Sequence, residues 1–125
     1  QLSNHQQAMF IAAPVLKHYP ALKVPGDSWV AKALPLWNPN TAQLYFIYGG
    51  YWKAKVVSPS GVEDWLYNST NQNPMMASDA VNLAVDDHMF LRPTQSEHVM
   101  LQFGDLRVVQ GGELVERWPV FNQTA

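Results

Sequence analysis

The chain contains no cysteine in its 125 residues, which excludes disulfide staples and thiolate metal sites. It also lacks a cluster of basic residues. Eight Lys and Arg stand against ten Asp and Glu, for a net charge of −2. A surface that tracks phosphates needs concentrated positive charge, so nucleic acid is not an expected partner. The longest apolar stretch, Ala8 to Leu16, is broken by Pro14. A bilayer-spanning helix needs roughly twenty apolar residues, so no membrane association is expected, and a soluble, cytoplasmic protein fits the cysteine-free composition. No heptad or longer repeat is visible.

What the chain does have is apolar content with frequent punctuation. With 47% hydrophobic residues it can bury one core, and a single domain over 1–125 is expected. Nine prolines and seven glycines cut the sequence into short segments, which favours an all-β, antiparallel barrel or sandwich over long helices. Ala8 to Leu16 reads as a buried strand, and Gln43 to Tyr48, rich in aromatic and β-branched residues, as a central one. Lys17 to Asn40 carries four prolines and reads as a long loop anchored by Trp29 and Trp37. Tyr51 to Val57 and Val62 to Tyr67 read as extended, with Ser58 to Gly61 as a turn, and Asn68 to Pro74 as a polar turn. Ser78 to Val85 is open between a helical turn and an irregular approach to the next strand. His88 to Arg92, Glu97 to Phe103, Leu106 to Val109 and Leu114 to Phe121 complete the strands, the last two joined at Gly111-Gly112.

Three groups of residues carry chemistry. Gln95 and Glu97 have the i, i+2 spacing that puts two side chains on one strand face, where both could address one ion or one substrate group. Their oxygens suit a hard divalent ion, or hydrogen bonds with no ion at all. Tyr48-Gly-Gly-Tyr51-Trp52 combines glycines that admit close backbone approach with hydroxyls able to donate a proton or contact a phosphate. The same aromatics would also serve as core and interface packing. Arg92 offers a bidentate clamp for a substrate carboxylate or a plain structural ion pair. His5, His18, His88 and His98 show no zinc-ligand spacing.

The run Met89-Phe-Leu-Arg-Pro-Thr-Gln-Ser-Glu97, continuing through Phe103-Gly-Asp-Leu-Arg-Val-Val-Gln-Gly-Gly112 to Arg117-Trp-Pro-Val-Phe121, resembles the end of the metal-activated pyridoxal enzymes, the D-serine dehydratase and D-threonine aldolase group. In that family a Pro-Asn-His-x-Cys or Pro-Asn-His-x-Asp motif precedes a Val-Val-x-Asp-Gly hairpin and a Trp-Pro strand. Pro93 stands at the motif proline, Val108-Val109 and Gly112 at the hairpin, and Trp118-Pro119 at the last strand. The metal-ligand slots fall on Gln95 and Glu97, where the family has His with Cys or Asp. Asn71 and Gln72 fall near the family's Glu-His-Gly segment.

The resemblance implies the C-terminal β domain of a fold-type III enzyme similar to alanine racemase, its TIM barrel and cofactor lysine lying N-terminal to this chain. It further implies pyridoxal phosphate held mainly by that barrel, a possible divalent metal, a small D-amino acid substrate and a head-to-tail homodimer. Within it Tyr48 and Tyr51 are candidate catalytic residues, Arg92, Gln95, Asn71 and Gln72 candidate substrate contacts, and Gln95 with Glu97 the candidate metal pair. Elimination to an oxo acid and ammonia, retro-aldol cleavage and racemisation are all open. Two other classes compete: a carbohydrate-binding module with Trp29, Trp37 and Trp52 lining an open groove, and a structural dimerisation module with a large apolar patch.

Overall fold

Every second residue turns inward along three segments: Ile11, Ala13 and Val15 in β1 (Ile11–Tyr19), Gln43, Tyr45 and Ile47 in β2 (Gln43–Tyr48), and Met89 and Leu91 in β6 (His88–Pro93). A period of two with one buried face is satisfied by a sheet that covers a core on one side only. In the computed structural model, which describes residues 4–20, 33, 36–64 and 69–120, these strands combine with β3 (Ala54–Ser58), β4 (Val62–Asp64) and β5 (Gln72–Ala77). The result is one six-stranded antiparallel sheet in the order β3-β6-β1-β2-β5-β4. Its two edge strands, β3 and β4, are consecutive in sequence and lie against each other, so the sheet rolls into a nearly closed barrel. Each of the strand sets β2 to β5 and β3 to β6 then has a Greek-key order, with the outermost strand returning beside the far end of a three-strand run.

The barrel interior is filled by Tyr45, Ile47, Met75, Met89, Leu91 and Val15, all essentially inaccessible to water. Burying each large side chain stabilises the fold by roughly 1.5–3 kcal/mol relative to leaving it exposed. Trp52 and Val99 close one end of this core, and Val81 the other.

Three expectations are corrected by the fold. Asn68 to Pro74 does not end as a polar turn: Gln72 to Ala77 is β5, paired along its length with β2 and in part with β4. Ladder bonds on two sides outweigh the turn preference of Asn and Pro, and Pro74 lies just past the last described β4 pair, Asp64 with Met75. Glu97 to Phe103 is no strand. After Pro93 the Thr94 and Gln95 amides both bond to the Lys53 carbonyl (2.6 and 3.4 Å), where the β6–β3 ladder stops. With no further strand to pair with, the chain meets its own hydrogen-bonding needs in a helical turn, α1 (Ser96–Met100), burying only Val99. Finally, Lys17 to Tyr19 extend β1 beyond a bulge instead of opening a loop, and Trp37 is 92% exposed and anchors nothing. Trp29 lies outside the described residues. Ser78 to Val85, open in sequence, is an irregular turn.

A separate hairpin follows α1. β7 (Leu106–Gln110) and β8 (Glu113–Trp118) pair across Gly111-Gly112, both glycines at positive φ (60° and 86°), with a bulge beside Val109. Val109, Leu114, Val115 and Trp118 are about half exposed or more, so this hairpin has no core of its own. Among the described residues no helix is long and apolar enough to cross a membrane.

Candidate functional site

One end of the barrel is built from parts far apart in sequence. There β2 ends at Tyr48, β3 begins at Ala54, β5 begins at Gln72, β6 ends at Pro93, and α1 folds across the gap. The pairing of Tyr48 with Gln72 across β2 and β5 sets the register, and the Gly49 amide continues it to the Asn71 carbonyl (3.4 Å). On the other side Ala54 pairs with Pro93. Tyr48, Tyr51, Asn71, Gln72, Arg92, Gln95 and Glu97 therefore all stand around this rim.

Within the rim lies an open cleft of about 250 Å³, lined by Tyr48, Gly49, Gly50, Trp52, Thr70, Gln102 and Phe103. Trp52 is its apolar wall: the residue is 8% exposed, its ring tilted against Tyr48 at 6.0 Å and Phe103 at 5.1 Å between ring centroids. The polar groups belong to Tyr48, a half-exposed residue, to Thr70 and to Gln102, whose side-chain amide also bonds to His98 (2.9 Å). Gln102 and Phe103 reach the cleft because α1 returns the chain over it. A strand here would carry them away from the rim, which is why the sequence pattern missed both.

The glycines of this rim have a structural cause. A Cβ on Gly49 would lie 2.7 Å from the Asn73 side-chain amide, and one on Gly50 would lie 2.9 Å from the Thr70 carbonyl oxygen. Asn73 itself is buried, and its Oδ1 has no hydrogen-bond partner. An orphaned buried carbonyl costs about 1–3 kcal/mol, so this end of the interior is under-satisfied. Tyr51 adds a second irregularity. Its backbone lies in the left-handed region (φ 53°) with the ring 57% exposed, a conformation that costs a non-glycine residue roughly 1–2 kcal/mol. Asp86, just before β6 at the other end of the barrel, is left-handed as well (φ 74°), so this conformation alone does not single out the cleft.

The predicted residues divide into those the cleft brings together and those it does not. Tyr48 lines it, Tyr51 follows its Gly-Gly floor, and Asn71 flanks Thr70, its Oδ1 accepting from the Ser69 hydroxyl (3.1 Å). Gln72 is half-buried at the start of β5. Arg92 points elsewhere. Along β6 Met89 and Leu91 face the core, so Phe90 and Arg92 face outward, and Arg92 stands directly opposite Lys55 of β3. Gln95 and Glu97 do not share a strand face as expected. Gln95 precedes α1 in an extended conformation without a side-chain cap bond, and Glu97 sits in the first turn, weakly accepting from Ser96 (3.5 Å). Among the described residues no three His, Asp or Glu side chains converge as a metal site would require. The donor set at Gln95 and Glu97 does not fit a zinc centre.

In comparisons with protein-family models, curated proteins and solved structures, nothing matches this chain.

Proposed function

We propose that this chain is the C-terminal β domain of a pyridoxal-phosphate-dependent enzyme of the D-serine dehydratase and D-threonine aldolase kind, acting on a small D-amino acid. The observation that carries this reading is the gathering of Tyr48, Tyr51, Asn71, Gln72 and Gln95, spread over more than a third of the sequence, around one end of the barrel. In the proposed assembly that end closes over the active site of a partner subunit in a homodimer. Trp52 and Phe103 exclude water from one side, the Tyr48 hydroxyl holds or exchanges a proton at the mouth, and the amides of Asn71, Gln72 and Gln95 orient polar groups of the substrate.

Bound pyridoxal phosphate supplies the electron sink of such enzymes. Among the described residues neither Lys53 nor Lys55 lines the cleft; on this reading the lysine that carries the cofactor is that of the barrel domain, as in the resembled family. No step is assigned to a metal, since Gln95 and Glu97 do not fit a zinc centre and no third carboxylate or imidazole of the described residues joins them. A deaminase or racemase that relies on protein groups alone is the form of the reading that the side chains support. The decisive measurement is the visible spectrum of the native polypeptide carrying this sequence, before and after borohydride. An imine band removed by borohydride is expected; a colourless protein that cannot be reconstituted with pyridoxal phosphate overturns the proposal.

Of the competing classes, a carbohydrate-binding module calls for accessible tryptophans: Trp37 is 92% exposed, whereas Trp52, although it lines the cleft, is buried against Tyr48 and Phe103. A structural dimerisation module gains from the exposed Val109, Leu114, Val115 and Trp118 of the hairpin. It predicts that Tyr48→Phe, Gln95→Ala and Glu97→Ala leave the kinetics of the native enzyme unchanged, whereas the enzymatic reading predicts a loss in kcat for at least Tyr48→Phe.

A further inference from the structure

The described cations are Lys17, Lys53, Lys55, Arg92, Arg107 and Arg117, and four of them face each other across strands: Lys55 with Arg92, and Arg107 with Arg117. Like charges directly opposite on one face of an antiparallel pair oppose the pairing. In a chain of net charge −2 such pairs are not forced by composition. Among the described residues no carboxylate comes within 4.0 Å of any of them.

The two pairs differ in what surrounds them. Arg107 and Arg117 sit on the exposed hairpin, free to splay into water. Lys55 and Arg92 are fixed on the outer wall of the barrel, on two strands whose inner faces are packed in the core. Beside them the wall is apolar: Phe90, next along the outward face of β6, meets Phe10 edge-on at 6.5 Å, and Val57 is the next outward residue of β3. The carboxylate coupled to Lys55 is Asp64 of β4, pushed up by partial burial and drawn back down by Lys55, so Lys55 is partly compensated and Arg92 is the freer cation of the pair.

We propose that Lys55 and Arg92 form an oxyanion-binding site on the outer barrel wall, taking the carboxylate or phosphate of a small ligand whose apolar part lies on Phe90 and Phe10. The guanidinium supplies a planar fork for two oxygens and the ammonium a point charge beside it. This site is separate from the cleft, which neither residue lines, and does not depend on the enzymatic reading.

The test is an amide-resolved NMR titration of the folded chain with inorganic phosphate, acetate and benzoate, each against chloride at equal ionic strength. Saturable shifts at Lys55, Phe90 and Arg92 with at least one oxyanion but not chloride are expected, with affinity falling tenfold or more in Arg92→Gln and severalfold in Arg92→Lys. Benzoate binding more tightly than acetate assigns the ligand as an apolar carboxylate; response to phosphate alone assigns it as a phosphoryl compound. Three results overturn the site: no oxyanion-specific shift, shifts of equal size at Arg107 and Arg117, or shifts that survive Arg92→Gln.

Discussion

The two ends of the barrel are built from the same six strands and finished in opposite ways. At the end where β1 stops and β2 starts, every buried side-chain polar atom of the described residues is paired. The Gln43 amide donates to the carbonyls of Ser78 and Val81 (both 2.6 Å), Tyr45 donates to Val81 (3.0 Å), and His18 stacks on Tyr45 at 4.3 Å between centroids while its Nε2 meets the Gln43 carbonyl oxygen (2.6 Å). Because both Gln43 donor hydrogens are committed to carbonyls, its oxygen is the acceptor, and His18 Nε2 carries the proton. Outside this network Glu63 accepts from Asn38 (3.0 Å) and Asn40 (2.8 Å), and those two bonds hold its carboxyl below the usual range. At the opposite end stand an orphaned Asn73 oxygen and an open cleft; backbone strain does not separate the two, since Tyr51 here and Asp86 there are both left-handed (φ 53° and 74°), and Gly49 and Gly50 here and Gly61 there are all pressed against neighbours. A satisfied end specifies the fold, and an unsatisfied end has room for a ligand.

The largest expected effect comes from breaking the satisfied end. Tyr45→Ala removes a fully buried ring and one member of the network, and should destabilise the chain by about 3–5 kcal/mol in urea titration. Tyr45→Phe keeps the ring and loses only the hydroxyl, at a cost of about 1 kcal/mol. Next in size is a coupled change at the open end. Gly49→Ala drives a methyl into the Asn73 amide and should cost about 1–3 kcal/mol. In an Asn73→Ala background, where the obstructing amide and its orphan oxygen are both gone, most of that cost should vanish; a cycle with no coupling would show that the glycine is not held by Asn73.

Smaller still is Tyr51→Gly, which relieves the left-handed backbone but frees the unfolded chain, so stability should stay within about 1 kcal/mol of the parent. If instead it costs as much as a core substitution, the rim is as structural as the far end. The smallest effect belongs to Asp64. Partial burial raises its carboxyl above the ordinary value, with Lys55 opposing, so the folded state disfavours the charged form. The stability linked to this group is fully present below the unfolded value and is lost as pH rises through the interval up to the folded one. Asp64→Asn should therefore raise the melting temperature slightly at neutral pH and lose that advantage under acid conditions.

The contrast between the ends also explains which readings of the sequence held. Strands β1, β2, β6 and β7 were legible because each is a short run rich in apolar, β-branched or aromatic residues with turn signals at its borders, and the Gly111-Gly112 hairpin because two adjacent glycines suit its reversed turn. β5 was hidden, since Gln72-Asn-Pro74 reads as a turn until two neighbouring strands supply its ladder. α1 was hidden by the reverse error, because Val99, Leu101 and Phe103 keep a strand-like alternation in a segment that has no strand to pair with. Tyr48 could be nominated from its glycine neighbours, but Gln102 and Phe103 could not, as nothing local marks them as facing Trp52.

What the amino-acid order determined by itself was the β character of the chain, its single cysteine-free core and the side chains able to do chemistry, because propensity and period-two burial act over a few residues. Only the tertiary structure decided that β3 and β4 close a barrel, that the two ends differ, that Gln95 and Glu97 leave the strand, and that Arg92 faces Lys55 on the outer wall. Those outcomes depend on pairing between residues dozens of positions apart, where register and closure are settled by the whole sheet rather than by any one segment.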